Sequence, residues 1–359
     1  MNDNYLLHNE TAKKLYFEYA KDLPIISLCS EEKPSDLSYN NVAEAFLLND
    51  FYKLDAMRHC GVEEILITGD SSDYEKFKAF CSVLPKFAGH PLYLLSHIEL
   101  YKHFGCELTI CEDNCDLIWE AANIQILNNS ISMHSLLKQT NIEYYYCSIL
   151  SWMDELYSNK EILDLSTLEN HLIEKIRRAN DTGCTVAIYN AFSDLVKPNP
   201  YAANEIVKKI RSSDTSLDIE ECDLLDIQIA RTLGKEYVDL GWSWLLSGNT
   251  VDDDVIEYLK NNGALPQTSN FIEFEIGQSE DYLELQIRGY AMKYPIGNLI
   301  CTVNTADNCL SYARHDYFRR TLCNIIGKWV ENGEYTTDEN ALKRLIQNVL
   351  YYNLKEAIN

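Results

Sequence analysis

The sequence predicts an α/β protein in which a parallel sheet is wrapped by helices, a (β/α) barrel or the remnant of one. Three observations lead there. Short runs rich in β-branched and aromatic residues recur at Ile142–Ile149 (IEYYYCSI), Gly183–Tyr189, Gly241–Ser247, Asn270–Ile276 and Leu299–Val303. Helical stretches with apolar residues at helical spacing lie among them. A glycine turn delivers the chain from helix to strand at Gly183 and again at Gly241, the connection expected between successive β/α units. With 359 residues the chain is long enough for one barrel-sized domain with additions or for two ordinary domains.

The elements follow in order. Asn9-Glu10-Thr11 opens a helix through Ala20, with Leu15, Tyr16 and Tyr19 on one face and Asn9 or Thr11 as cap. Pro24-Ile25-Ile26 begins the first strand. Val42–Leu48 and Asp50–His59 read as helices, the second stopping at Cys60-Gly61. Ile67–Asp70 forms a turn, and Ser71 or Ser72 caps a helix through Val83. Pro85–Pro91 breaks that helix, another follows to Gly105, and Asp113–Leu127 is helical. Beyond the strand at Ile142, Leu168–Asn180 is an amphipathic helix, and Asp218–Leu240 a long one with an interruption expected near Gly234. From Tyr312 onward the pattern is helical, split at Asn332-Gly333.

Composition narrows the function classes. A net charge of −24 opposes nonspecific nucleic-acid binding and attachment to an anionic membrane surface. No run approaches the roughly 18 consecutive apolar residues of a membrane helix, and the polar N-terminus is not a signal peptide. Twelve cysteines without a secretion signal read as reduced thiols, so the expected location is the cytoplasm. The grouping His97, His103, Cys106, Cys111 and Cys115 matches no zinc spacing and reads as helix-face and core residues.

The stretch Pro24–Pro34, PIISLCSEEKP, carries the first candidate site. A strand running into alternating Cys29 and Glu31 is where many α/β enzymes place metal ligands. Longer strings then identify a relationship. LLHNETAKKLYFEYAKDLPII, DFYKLDAMRHCGVEEILITGDSSDYEKF, GHPLYLLSHIELYKHFG and CLSYARHDYFRRTLCNIIGKWVENGEY resemble the uronate (glucuronate) isomerase family, and the match runs from about Tyr5 to about Glu356. The resemblance implies a (β/α)8 TIM-type barrel of the amidohydrolase kind, here with a helical N-terminal insertion, a helical C-terminal cap and a strand count that deletions leave open. It implies one domain over 1–359: first strand plus insertion at 24–140, the remaining shortened barrel at 141–311, the cap at 312–359. The family interconverts D-glucuronate with D-fructuronate and D-galacturonate with D-tagaturonate, commonly with a divalent metal such as zinc.

Position by position, the resemblance points to a degenerate site. The family's P-I-I-D-Y-H-C-H, whose histidines bind metal, reads here Pro24-Ile25-Ile26-Ser27-Leu28-Cys29-Ser30-Glu31. Its D-H-Y-K-W-R becomes Asp50-Phe51-Tyr52-Lys53-Leu54-Asp55, keeping Tyr52 and replacing the histidine with Phe51. The T-T-D-D-P strand corresponds to about Cys147–Ser151 and lacks both acids. The S-D-H-G strand becomes Ala187-Ile188-Tyr189-Asn190, the histidine ending G-W-V-M-Q-L-H becomes Ser247, and T-D-S-R becomes Asn304-Thr305-Ala306-Asp307. An R-P-D-K segment has no counterpart between Ser151 and Leu168, and a deletion falls between Asn262 and Leu283.

A thiolate or carboxylate can replace imidazole on zinc, but a metal needs three or four convergent donors. An aldose–ketose isomerisation needs a positioned base and acid. Asp307 in place of arginine repels a uronate carboxylate. The expectation is therefore a non-catalytic partner, regulatory subunit or ligand sensor with no cofactor. Tyr52 is the best surviving catalytic or substrate-binding candidate, and Arg314 is a second binding candidate. The alternative is an active uronate isomerase with a rebuilt site using Cys29, Glu31, Tyr52 and His97, with zinc only in that case; a thiol-based enzyme centred on Cys29 is a third reading. Arg314-His315-Asp316 with Arg319-Arg320 reads mainly as packing and ion pairs, and Tyr144-Tyr145-Tyr146 as strand rather than sugar platform. Expected partners are a second copy or an intact paralogue in an oligomer, with no nucleic acid and no membrane; a small sugar acid is compatible as ligand.

Overall fold

The computed structural model describes residues 3–29, 39–129, 141–149, 151–189, 199–213, 217–247, 253–274, 278–303 and 312–358. A helix α1 (Glu10–Lys14), continued by a π-turn at Leu15–Ala20, precedes β1 (Ile25–Cys29). Among the described residues the helices that follow are α2 (Val42–Phe46), α3 (Phe51–His59), α4 (Asp73–Val83), α5 (Pro91–Phe104) and α6 (Cys115–Asn129). Then come β2 (Ile142–Ile149), α7 (Trp152–Ser158), α8 (Leu165–Asp181), β3 (Val186–Tyr189), α9 (Pro200–Ser213), α10 (Ile219–Leu240) and β4 (Ser243–Ser247). The chain continues through α11 (Asp253–Asn261), β5 (Gln267–Phe274), α12 (Glu280–Ala291) and β6 (Ile300–Val303), and closes with α13 (Ala313–Glu331), α14 (Glu339–Gln347) and α15 (Asn353–Ala357).

The six strands of the described residues form one parallel sheet in the order of the sequence. Parallel neighbours require crossovers, and helices lie along every connection. The register runs from Ile25 opposite Ile142 to Cys29 opposite Tyr146 at one edge, and from Phe271 opposite Ile300 to Phe274 opposite Val303 at the other.

Capping chemistry sets the helix starts. The side chains of Asn9, Asp50, Ser72 and Asp218 accept backbone N–H groups in the first turns of α1, α3, α4 and α10. Several strand and helix bounds differ from the sequence expectation, and in three cases the local reason is plain. β3 starts at Val186 rather than Gly183, because Cys184 N–H bonds back to Ala179 O at 3.0 Å and belongs to the cap of α8. β5 begins at Gln267, where it pairs with Ser243, three residues before the expected Asn270. The interruption expected near Gly234 is absent: α10 runs unbroken through it. A Cβ on Gly234 would lie 2.0 Å from Ala264 O and 3.2 Å from Trp244 Cζ3. The glycine is there for close approach of helix to strand and loop, not to end the helix.

Strand alternation divides the core. Ile26, Cys147, Val186, Leu245, Phe271 and Ile300, one from each strand, form the interior of the curled sheet. Alternate residues such as Ala187, Trp244 and Leu246 face the outer helices. Tyr351, Leu354, Ala357 and Ile358 from the last turns plug the interior at the N-terminal ends of the strands. There Lys355 Nζ donates to Glu143 Oε2 at 2.6 Å and Tyr351 Oη to Glu143 Oε1 at 2.7 Å.

β1 and β6 share no backbone pairing among the described residues, yet both line a cavity of about 10 Å³ with His315, Phe318, Arg319, Leu350 and Leu354. Side chains cover the seam instead. Arg319 donates to Lys21 O at 3.1 Å and Pro24 O at 2.8 Å on the β1 side. Asn353 Nδ2 donates to Gly297 O and Leu299 O, each at 2.8 Å, on the β6 side. These bonds tie the segments that lead into β1 and β6 to α13 and α15.

Candidate functional site

In barrels of this type the chemistry sits at the C-terminal ends of the strands. Those ends are Cys29, Ile149, Tyr189, Ser247, Phe274 and Val303. Glu31, Thr305 and Asp307 lie outside the described residues, as do the side chains of Cys29 and Ser247. The resemblance calls for metal-binding histidines at strand ends. The sequence has eight histidines, and none of the seven that are described ends a strand. His8 precedes α1, His90 caps α5, and His59, His97, His103, His171 and His315 lie within helices. A thiol ends β1 and a hydroxyl residue ends β4, a donor set that does not fit a family zinc held by convergent imidazoles.

Tyr52 is in the first turn of α3, half-buried, beside Phe51, which is 64% exposed. What holds Tyr52 is a group of four charged side chains. Asp50 Oδ1 accepts Tyr52 N–H at 3.1 Å and Lys53 N–H at 3.4 Å, capping the helix. Its Oδ2 accepts Arg314 Nη2 at 2.6 Å and lies 3.3 Å from Lys53 Nζ. Lys53 Nζ also donates to Glu99 Oε2 at 2.5 Å and Phe46 O at 2.6 Å, over the Phe46 ring. Arg314 Nε is 3.6 Å from Glu99 Oε1, and its guanidinium lies over the Tyr52 ring at 5.4 Å. Exposures are 0% for Asp50 and Arg314 and 1% for Lys53 and Glu99. Burial pushes Asp50 up, but Lys53 and Arg314 overcome it and hold the carboxyl below its usual range. Burial raises Glu99, against the pull of the same two cations. Arg314 therefore stands behind Tyr52 as a buried ion-pair partner rather than reaching solvent.

The rest of the Arg314-His315-Asp316 string is also engaged in packing. His315 is stacked on Tyr312, whose hydroxyl is 2.9 Å from that of Ser27 in β1. Burial first, then Arg319 and Arg314, push the His315 imidazole down to about 3. Asp316 accepts from the hydroxyls of Tyr5 and Tyr16 and pairs with Lys102 at 2.9 Å and Arg320 at 3.3 Å. Burial opposes its ionisation, and these partners hold it down at about 2. Arg320 stacks over the Tyr5 and Tyr16 rings.

His97 does not join Tyr52 in a rebuilt site. Its Nδ1 is 2.7 Å from Tyr93 O, and its Nε2 accepts Ile110 N–H at 2.9 Å. Both ring nitrogens are committed to joining α5 to the following loop. Cys106 and Cys115 are buried, and Cys111 is half-buried. Of the tyrosine run, Tyr145 packs on the barrel interior, with its hydroxyl on Glu143 and Lys355 at the end remote from the mouth. Among the described residues, no helix is long and apolar enough to cross a membrane. Sequence reasoning missed Asp50, Lys53 and Glu99; an acid inside the apolar run Ile98-Glu99-Leu100 was the available signal.

The profile of the family described as glucuronate isomerase matches residues 1–162 and 274–357. A relative named uronate isomerase from Caldanaerobacter subterraneus subsp. tengcongensis is 29% identical over 460 aligned positions, covering 99% of this chain and 98% of the relative. One of the same name from Caldicellulosiruptor saccharolyticus is 27% identical over 461 positions, with the same two coverages. Alignments of that length against 359 residues show that this chain is shortened by internal deletions. The uronate isomerase structure from Thermotoga maritima superposes with a TM-score of 0.82 at 19% identity, over 100% of this chain and 99% of that one. The glucuronate isomerase structure from Caulobacter crescentus gives 0.79 at 16%, over 99% and 96%. At these identities the likeness is one of fold, the TIM-type α/β barrel expected from the sequence.

Proposed function

Because the chain belongs to the glucuronate isomerase family, we propose that it is a member that has lost metal-dependent hexuronate isomerisation and acts as a non-catalytic partner, regulatory subunit or ligand sensor. The observation that carries this reading is the contrast between frame and strand ends. The frame around Tyr52 is a buried set of ion pairs, whereas β4 ends in Ser247 and the described histidines lie on or beside helices. With no imidazole at those ends, neither the metal nor the base that an aldose–ketose proton transfer requires has its family donors. The expected partner is a second copy or an intact paralogue, and a small sugar acid is the ligand class to try first.

The test is incubation of purified protein with D-glucuronate and D-galacturonate, with and without zinc or manganese, following ketose formation. No turnover and no stoichiometric metal by elemental analysis support the proposal. Turnover that disappears in Cys29→Ala or Tyr52→Phe overturns it. That outcome belongs to the second reading, an active isomerase with a rebuilt site centred on Cys29, Glu31 and Tyr52. Its support is the near-complete coverage of relatives named uronate isomerase together with the retention of Tyr52.

A further inference from the structure

Glu99 connects to Tyr52 through two intermediaries. One is Lys53, the next residue in the chain, whose Nζ it holds at 2.5 Å; the other is Arg314, whose guanidinium lies over the Tyr52 ring. We propose that Glu99 is the positioning residue for Tyr52, fixing the place and the electrostatic surroundings of the phenol through Lys53 and Arg314. The inference rests on the reading that Tyr52 is the retained ligand-facing residue.

The argument begins with charge balance. Lys53 and Arg314 bring two positive charges into a volume with almost no access to water. Asp50 supplies one negative charge and is also tied to the backbone N–H groups of Tyr52 and Lys53. An unbalanced buried cation is heavily penalised, so a second carboxylate has to complete the set, and Glu99 on α5 is the one in reach. Geometry adds to this. Lys53 Nζ is held by Glu99 Oε2, Phe46 O and Asp50 Oδ2, so Glu99 fixes the lysine on the side facing α5. Removing its charge leaves a net positive set beside the Tyr52 ring, which favours the phenolate.

The experiment places 3-fluorotyrosine at position 52 and follows its ¹⁹F resonance and phenol titration in the full chain. Glu99→Gln is expected to move the resonance and to lower the titration midpoint by about one pH unit. Glu99→Asp, which keeps the charge on a shorter arm, is expected to move the resonance while leaving the midpoint near its original value. Glu284→Gln, which breaks a carboxylate cluster with Arg288 and Lys328 instead, is the stability control and is expected to change neither. If Glu99→Gln fails to fold, the Glu99→Asp result decides. An unmoved resonance in the folded Glu99 variants overturns the proposal. No ligand or turnover enters the readout, so failure here is distinct from failure of the functional reading.

Discussion

Arg314 Nη2 and Asp50 Oδ2 meet at 2.6 Å although 264 residues separate them, and neither side chain reaches solvent. The pair joins the first turn of α13 to the cap of α3, one of the helices between β1 and β2. Removing one partner leaves the other buried and unpaired, a loss of about 3–5 kcal/mol. Arg314→Ala and Asp50→Ala are each expected to lower the unfolding free energy, measured by urea titration, by that order, with the double variant well short of the sum, since both break one interaction. Additive losses would show that the two residues act separately.

Gly234→Ala is expected to destabilise. Alanine would improve helix propensity by about 1 kcal/mol, but its Cβ falls 2.0 Å from the Ala264 carbonyl oxygen. Backbone has to move to relieve that contact, at about 1–3 kcal/mol or more. A Tm equal to or above that of the parent would contradict the packing.

His315 should make stability depend on pH on the acid side of neutrality. Its folded value is about 3, and an unfolded histidine titrates near 6.5. Between these values the unfolded chain binds the proton and the folded chain does not, so stability rises with pH across that window. The contribution is complete above about pH 6.5 and is lost as pH falls toward 3. Below about pH 4 Asp316 adds a further loss, of about 2 kcal/mol by pH 2, as its carboxylate takes up a proton. Denaturation at pH 7 and pH 4.5 should show a smaller difference in His315→Gln than in the parent; an equal difference would remove His315 from the account.

Asn353→Ala should strand two carbonyls at the start of β6. The Nδ2 group serves both Gly297 O and Leu299 O. Leu299 is buried and Gly297 half-buried, so the expected loss is at most about 1–3 kcal/mol. Deletion from residue 353 onward should go further, because it also withdraws Leu354, Ala357 and Ile358 from the barrel interior. Increased binding of a hydrophobic dye is the expected signature, and an unaltered signal would show that the plug is dispensable.

Much of the architecture was legible because its causes are local. Asn9, Ser72 and Asp218 announce helix starts through their own side chains, and Ile142–Ile149 forms the strand its composition suggests. Gly234 misled because helix propensity speaks against glycine while the contact that demands it, with Ala264, is tertiary. The glycine turns at Gly183 and Gly241 were recognised, but their cap bonds to Ala179 and Tyr237 took residues that the apolar pattern gave to the strands. Tyr52 and Arg314 were each visible as chemistry. Their relationship was not, since the residues that join them come from α3, α5 and α13, and no spacing within one segment encodes it.

The covered seam also has a consequence for synthesis on the ribosome. β1 is complete by Cys29, yet the carbonyls of Lys21 and Pro24 have their donor in Arg319, and Tyr5 and Tyr16 have their acceptor in Asp316. The first strand and its preceding helix thus pass most of translation without their final partners. Trp152 to Ala264 share a cluster of their own and can condense earlier, as local units do. α13 therefore closes against β1 and the helix before it only after all the intervening strands and helices have been made.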